Sequence, residues 1–250
     1  MPTAPTAPTA IKPKSGYEKW QDTIRSAGKN PAWDQYDCHI QKTVNEYNAH
    51  LSGKAAFQPL DWLIIKAIAW TETGATNQHW VDRPMQIGNT GDPGLAALLS
   101  KNEGGDLIMP PTIGKNLTFN LAATNPEANF QAGIGYLLMR LAKFGYETVY
   151  DPSNKEYKVR VKRNDSLFKI AKENGTTVKV LESMNPGIGL LRLDMELRYR
   201  KAAVEKAIQG WLPVNNTNIA QKYNIGDPEY SRKLDFVLPI LKNRPFIVCP

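Results

Sequence analysis

Cysteine and histidine are scarce in this chain, and their scarcity bounds its chemistry. Two cysteines, Cys38 and Cys249, and three histidines, His39, His50 and His79, are scattered over 250 residues. They lack the spacing of a metal-ligand set, so no metal, no cofactor and no histidine-based catalysis is expected. The cysteines read either as two separate buried thiols or as a disulfide tying the last residues to an early helix. In the chain-entropy picture so long a loop contributes up to about 5 kcal/mol, and the bridge needs an oxidising compartment. Long apolar runs are missing too. No stretch reaches membrane-spanning length, and the N-terminus has no apolar signal-peptide core. The expectation is a soluble chain, not an integral membrane protein, made in the cytoplasm without a visible cleavable signal.

A dense basic block is likewise absent. The formal charge of +7 favours acidic partners such as nucleic acid, anionic membranes or cell-wall polymers. The densest run, Lys158, Arg160, Lys162 and Arg163, alternates with Val159 and Val161. Period-2 alternation describes a half-buried strand with a solvated basic face, so nucleic acid is not an expected partner.

What is present suits a globular protein: 42% hydrophobic and 22% charged residues, with enough chain for one large domain or two smaller ones. Residues 2–10 repeat Pro-Thr-Ala, so 1–14 reads as an extended tether. From about Tyr17 to Tyr150 the rhythm is helical. Tyr36, Ile40, Val44 and Tyr47 recur at spacings of three and four, and Phe130 to Phe144 carries Ile134, Leu137, Leu138 and Leu141. A loop rich in Gly, Asn and Pro covers about Thr76 to Asp92. Residues 157–201 differ: two short strand patterns flank helical rhythms over Leu167–Asn174 and Val178–Met184. Ala202–Trp211 and Ser231–Leu241 then read as helix again. The fold class is α+β, a mainly helical domain over 15–152 and 202–250 interrupted by a small βααβ insert over 155–201.

The segment Asp61 to Gly74 singles out one carboxylate. Asp61 is a good N-cap and Gly74 a stop, with Trp62, Leu63, Ile65, Ile68, Ala69 and Trp70 covering most of the helix between them. Glu72 falls in the last turn, where the negative end of the helix dipole opposes its charge. Burial beside Trp70 also disfavours ionisation. Both effects raise the pKa, which suits a carboxyl group that donates a proton near neutral pH.

Glu72-Thr-Gly74, then Met85-Gln86-Ile87, then Asn129-Phe-Gln-Ala-Gly133-Ile-Gly-Tyr136-Leu137 resemble the successive signatures of soluble lytic transglycosylases, a family with a lysozyme-like helical fold. The family's last signature, Tyr-Asn-x-Gly, does not follow Leu137 but stands downstream as Tyr223-Asn224-Ile-Gly226. The insert resembles a LysM module, a βααβ fold that binds N-acetylglucosamine-containing glycans. Its Asn164-Asp165-Ser166-Leu167 turn and its Asn185-Pro186 turn carry that resemblance. Asn164 stands where the module usually has Gly, a change that the left-handed region tolerates. Leu193-Asp194 stands where Pro-Gly is usual, and the aromatic expected near Val159 is absent.

The resemblance implies that Glu72 works alone on the β-1,4 bond between N-acetylmuramic acid and N-acetylglucosamine, leaving a 1,6-anhydro sugar. It also implies that Tyr223 directs its hydroxyl at Glu72, with Asn224 and Gly226 shaping the turn. Thr73, Met85, Gln86, Tyr136 and Asn224 then serve the substrate, and Asn129 orders a helix start. In the insert, Asp165, Ser166, Leu167, Asn185 and Pro186 are the expected glycan-binding positions, against the alternative that the insert only braces the split domain. Peptidoglycan strands are the implied partner. The missing signal suits an injected bacteriolytic effector or a phage lysin, with an immunity protein or a secretion-apparatus component as further partners. A hydrolytic muramidase, with Asp82 or Asp92 as second carboxylate, and a non-catalytic wall-binding protein are the alternatives.

Overall fold

The computed structural model describes residues 13–27, 29–100, 102–245 and Cys249, so most of the 1–14 tether lies outside the described residues. The chain divides into two compact units. The first contains the described residues up to Ala142 and from Trp211 onward; the second runs from Lys143 to Gly210.

In the first unit the order is α1 (Gly16–Ala27), α2 (Asp37–Leu51), α3 (Trp62–Glu72), α4 (Pro93–Leu99), α5 (Gly105–Ile108), α6 (Pro111–Gly114), α7 (Phe119–Thr124) and α8 (Pro126–Leu141). Ile40, Val44, Tyr47 and Leu51 form the buried stripe of α2. The α3 helix starts where Asp61 accepts from Leu63 N, and it ends before Gly74. Gly74 has φ 66°, and a Cβ there would meet the Trp33 ring at 2.3 Å, so only glycine lets the chain turn away at that point. The α8 helix is capped by Asn125 and packs against α2, α4, α5 and α7, which buries nearly all of its faces.

The second unit begins with β1 (Ala142–Tyr150) and β2 (Glu156–Arg160), followed by α9 (Leu167–Asn174), α10 (Val178–Met184), β3 (Glu196–Arg200) and β4 (Ala202–Trp211). Strands β2 and β3 pair antiparallel with Tyr157 opposite Tyr199, and those two rings stack at 5.4 Å. Val161, Ile170, Ala171, Leu181 and Leu197 close a small core beneath them. Asn164 adopts φ 65°, the left-handed conformation that its replacement of glycine requires.

Strands β1 and β4 form a separate two-stranded sheet. This corrects two sequence expectations. The helix through Phe144 stops at Leu141, and Ala202–Trp211 is strand, not helix. Phe144, Tyr146, Thr148, Val149 and Tyr150 favour an extended ribbon, and pairing with it overrides the helical preference of the Ala, Glu, Lys and Gln residues in β4. The βααβ elements run from Glu156 to Arg200, and the ribbon joins them in the compact unit from Lys143 to Gly210.

The chain re-enters the first unit where it left: Leu212 N donates to Leu141 O at 2.8 Å. Two more helices follow, α11 (Asn216–Tyr223) and α12 (Tyr230–Lys242), which pack on α8 and α3 respectively. Links of several kinds hold this returning segment. Cys38 and Cys249 form a disulfide, with Cα atoms 5.3 Å apart. Arg244 pairs with Asp34, which also lies 2.6 Å from the buried Lys66 ammonium. The Tyr17 hydroxyl donates to Arg232 O. Among the described residues, no helix is long and apolar enough to cross a membrane.

Candidate active site

Glu72 is the last residue of α3 and lines a cleft of about 620 Å³ with Met85, Gln86, Ile87, Asp92, Tyr136, Tyr223 and Asn224. The near wall is the loop from Pro84 to Pro93, and its shape comes from side chains that spend their polar atoms on backbone. Asn129, fully buried on α8, accepts from Met85 N at 2.8 Å and donates to Ile87 O and Ala122 O at 2.8 and 2.7 Å. Its role is to fasten this loop, while Asn125 makes the helix start that sequence reading assigned to Asn129. Asp92 accepts from Gly88 N, Gly94 N and Leu95 N at 2.6, 2.8 and 3.3 Å, capping α4 and closing the loop on itself. Gln86 sits at φ 53°, a conformation that costs a non-glycine residue about 1–3 kcal/mol.

Two glycines allow the tight approach of loop and helix. A Cβ on Gly133 would meet Met85 Sδ at 2.6 Å, and one on Gly94 would meet the Tyr136 ring at 2.9 Å. Tyr136 is half-buried, and its ring centroid lies 5.7 Å from that of Tyr223.

The far wall comes from α11 and the turn after it. The Tyr223 hydroxyl donates to Met85 O at 2.9 Å, not to Glu72. The tyrosine that reaches Glu72 is Tyr230, which donates to Oε1 at 2.7 Å; Asn224 Nδ2 donates to the same oxygen at 3.2 Å. Tyr223 therefore braces the loop, and Tyr230 holds the carboxyl. The reason is positional: α11 ends at Tyr223, whereas Tyr230 opens α12, the helix packed along α3. Tyr230 lies outside the sequence signatures, and its place directly before the helical rhythm of Ser231–Leu241 is the signal that points to it.

Thr73 also departs from expectation. Its hydroxyl donates to Ala69 O and Pro84 O at 3.1 and 2.8 Å, fastening the helix end to the loop without lining the cleft. Asp82 faces His79 and Arg83 and does not line it either.

Burial pushes the Glu72 carboxyl above the ordinary glutamate range. The bonds from Tyr230 and Asn224 pull in the opposite direction because they favour the carboxylate; Asp227 raises its proton affinity and Lys233 lowers it. Burial, reinforced by the Glu72 charge, holds the Tyr223 and Tyr230 hydroxyls well above the usual phenol range, so both remain donors. The cleft thus contains a carboxyl group that keeps its proton more readily than usual, gripped by two neutral donors.

In the second unit the expected glycan-binding positions are occupied with holding the fold. Asp165 accepts from Lys162 N at 2.7 Å and pairs with Lys169 at 3.0 Å. Ser166 caps α9 by accepting from Lys169 N, and Leu167 packs on the small core. Asn185 locks its turn to β3, donating to Leu181 O and Arg198 O and accepting from Arg198 N. Pro186 is exposed. Beyond it, Gly187, Gly189, Leu190, Arg192, Leu193, Asp194 and Met195 line a shallow hollow of about 670 Å³. Leu190 and Leu193 are 91% and 66% exposed there, an apolar surface without cover.

Residues 159–193 match the LysM domain family. The chain contains a LysM domain, and the match supports a peptidoglycan-binding module in the second unit. No curated protein and no solved structure matches the chain.

Proposed function

We propose that the protein is a peptidoglycan lytic transglycosylase whose acid–base is Glu72 and whose LysM domain keeps it on the wall. The observation that carries this reading is the proton-retaining Glu72 carboxyl, gripped by Tyr230 and Asn224 in an open polar cleft that has no second free carboxylate among the described residues. Asp92, the other acid in the cleft, has its oxygens committed to three backbone amides. A two-carboxylate hydrolysis needs one acid and one base or nucleophile, and Asp92 is poorly placed to be either. A reaction whose nucleophile belongs to the substrate needs only one carboxyl group.

The steps follow. Protonated Glu72 gives its proton to the glycosidic oxygen, and the bond from C1 to that oxygen breaks with its electron pair. Positive charge at C1 is met by the muramoyl N-acetyl oxygen. The Glu72 carboxylate, stabilised by Tyr230 and Asn224, then accepts the proton of the muramoyl 6-hydroxyl as that oxygen bonds to C1. Glu72 ends protonated, as it began, and no water is consumed. Gln86 and Tyr136 line the cleft where an acetamido or hydroxyl group would lie, and Met85 supplies an apolar contact.

Murein lies outside the cytoplasmic membrane, in a compartment where the Cys38–Cys249 bond is stable. The protein therefore acts in a periplasm or cell wall. The decisive experiment is mass spectrometry of murein digested with the wild type and with Glu72→Gln. Anhydro-muropeptides from the wild type alone are expected. Reducing-end products one water heavier would replace this reading with a muramidase. Binding without products from either protein would leave a wall-binding protein, the reading that the LysM match alone supports.

A further inference from the structure

Both hydrogen bonds on Glu72 come from one short turn. Asn224 stands before it and Tyr230 at its end. Between them Asp227 organises the backbone: its Oδ1 accepts from Glu229 N at 2.9 Å, and its carbonyl accepts from Tyr230 N at 3.1 Å. Its other oxygen, Oδ2, lies 2.6 Å from the ammonium of Lys233, one helical turn beyond Tyr230 on α12. These two side chains are only 25% and 23% exposed, and the ammonium also lies 5.7 Å from the centre of the Trp20 ring. The pair is partly sheltered from water, so removing either partner leaves the other charge without its counter-ion beside the turn.

We infer that Asp227 and Lys233 are positioning residues for Glu72, their ion pair latching the turn from which Asn224 and Tyr230 grip its carboxyl. The inference deepens the proposed reaction and rests on that reading for its kinetic consequence, though not for its geometry. Each charge also acts on Glu72 directly, and the two act in opposite directions. Asp227 is a like charge and favours the protonated acid, while Lys233 favours the carboxylate. The other titratable groups facing Glu72 are the hydroxyls of Tyr230 on α12 and Tyr223 on α11, with Tyr136 and Asp92 behind Tyr223. The first two keep their protons, which leaves Asp227 and Lys233 as the charged pair that tunes the site.

The test uses the full oxidised chain and four variants: Lys233→Met, Asp227→Asn, the double variant and Lys233→Arg. Carbon-detected NMR gives the titration midpoint of the Glu72 carboxyl, and murein digestion gives the pH profile of kcat. Lys233→Met and Asp227→Asn are each expected to move the midpoint up, because releasing the turn loosens the Tyr230 and Asn224 bonds, which act on Glu72 more strongly than either charge does. Each lowers kcat about tenfold or more, since a small misplacement at the reacting centre is that costly, and Lys233→Arg restores both readouts. A midpoint that falls in Asp227→Asn, as the direct charge effect alone would give, or that stays unchanged in both variants would overturn the inference. Should a single variant fail to fold, the double variant decides, because it strands no charge. A raised midpoint with lowered kcat supports the latch, and a wild-type midpoint or an unchanged kcat removes it. If no protein cleaves murein, the transglycosylase reading falls while the NMR midpoints still judge the latch.

Discussion

Tyr230 donates to Glu72 across 158 positions of sequence, at 2.7 Å. The acid lies on α3, ahead of the insert, and the hydroxyl that holds it lies on α12, beyond the insert. Neither segment alone makes the site. The insert leaves and re-enters the helical unit at adjacent residues, Leu141 and Leu212, which is why 68 residues from 143 to 210 can intervene without parting the two halves.

Tyr230→Phe removes this bond and leaves the cleft walls in place. A hydrogen bond to a charged acceptor contributes about 1.5–3 kcal/mol, so kcat is expected to fall roughly ten- to a hundredfold. The midpoint of the Glu72 titration should rise, because the lost bond favours the carboxylate. Tyr223→Phe instead frees the Met85 carbonyl and should raise KM more than it lowers kcat. Steady-state kinetics of the two variants on murein checks the assignment; equal losses in kcat would contradict it.

Glu72→Gln should stabilise the protein at neutral pH. Burial holds the folded-state pKa of Glu72 above its unfolded value, so the stability tied to its proton is full below the ordinary glutamate range. It is lost as pH rises through the raised folded-state pKa. Glutamine is neutral throughout and its oxygen still accepts from Tyr230 and Asn224. The variant's Tm should therefore exceed the wild type's at neutral pH, with the gain vanishing in acid. A constant difference across pH would mean that Glu72 titrates as an ordinary surface acid.

Asn129→Ala strands Met85 N–H, Ile87 C=O and Ala122 C=O together. Each unsatisfied buried group costs about 1–3 kcal/mol, so a loss of about 3 kcal/mol or more is expected in urea unfolding. Activity should fall with it, because the same loop carries Gln86. A loss below about 1 kcal/mol would show that water replaces the side chain.

Reduction of the Cys38–Cys249 bond, or Cys249→Ser, should lower stability by about 2–5 kcal/mol. The loosened part is the returning segment that carries Tyr230 and Asn224, so murein cleavage should weaken under reductant at temperatures where the first segment is still helical. Urea midpoints and digestion rates measured with and without reductant give the answer. Identical values in both states would relieve the disulfide of any part in holding the site.

Much of the local structure is legible in the chain. Asp61 and Gly74 bracket α3 and so put Glu72 at its end, because capping and the left-handed stop are local preferences. The helices of the LysM domain are equally readable, since Ser166 and Thr177 cap them and Gly175 separates them. The ribbon β1–β4 is not: residues 202–211 have helical composition, and only pairing with a distant strand makes them extended.

The site divides in the same way. The sequence alone placed Glu72 at the end of an apolar helix, because a short run of residues sets both that helix and its surroundings. It also determined the LysM domain, whose caps and turns are all nearby in the chain. Only the tertiary structure decided that Tyr230 and not Tyr223 holds Glu72, that Thr73 turns to backbone, and that Asn129 fastens the loop. Those assignments depend on how α12 lies along α3 and how α8 meets the loop. They are set by long-range packing, where a hydroxyl's partner changes with a single helical turn, and no local pattern records that turn.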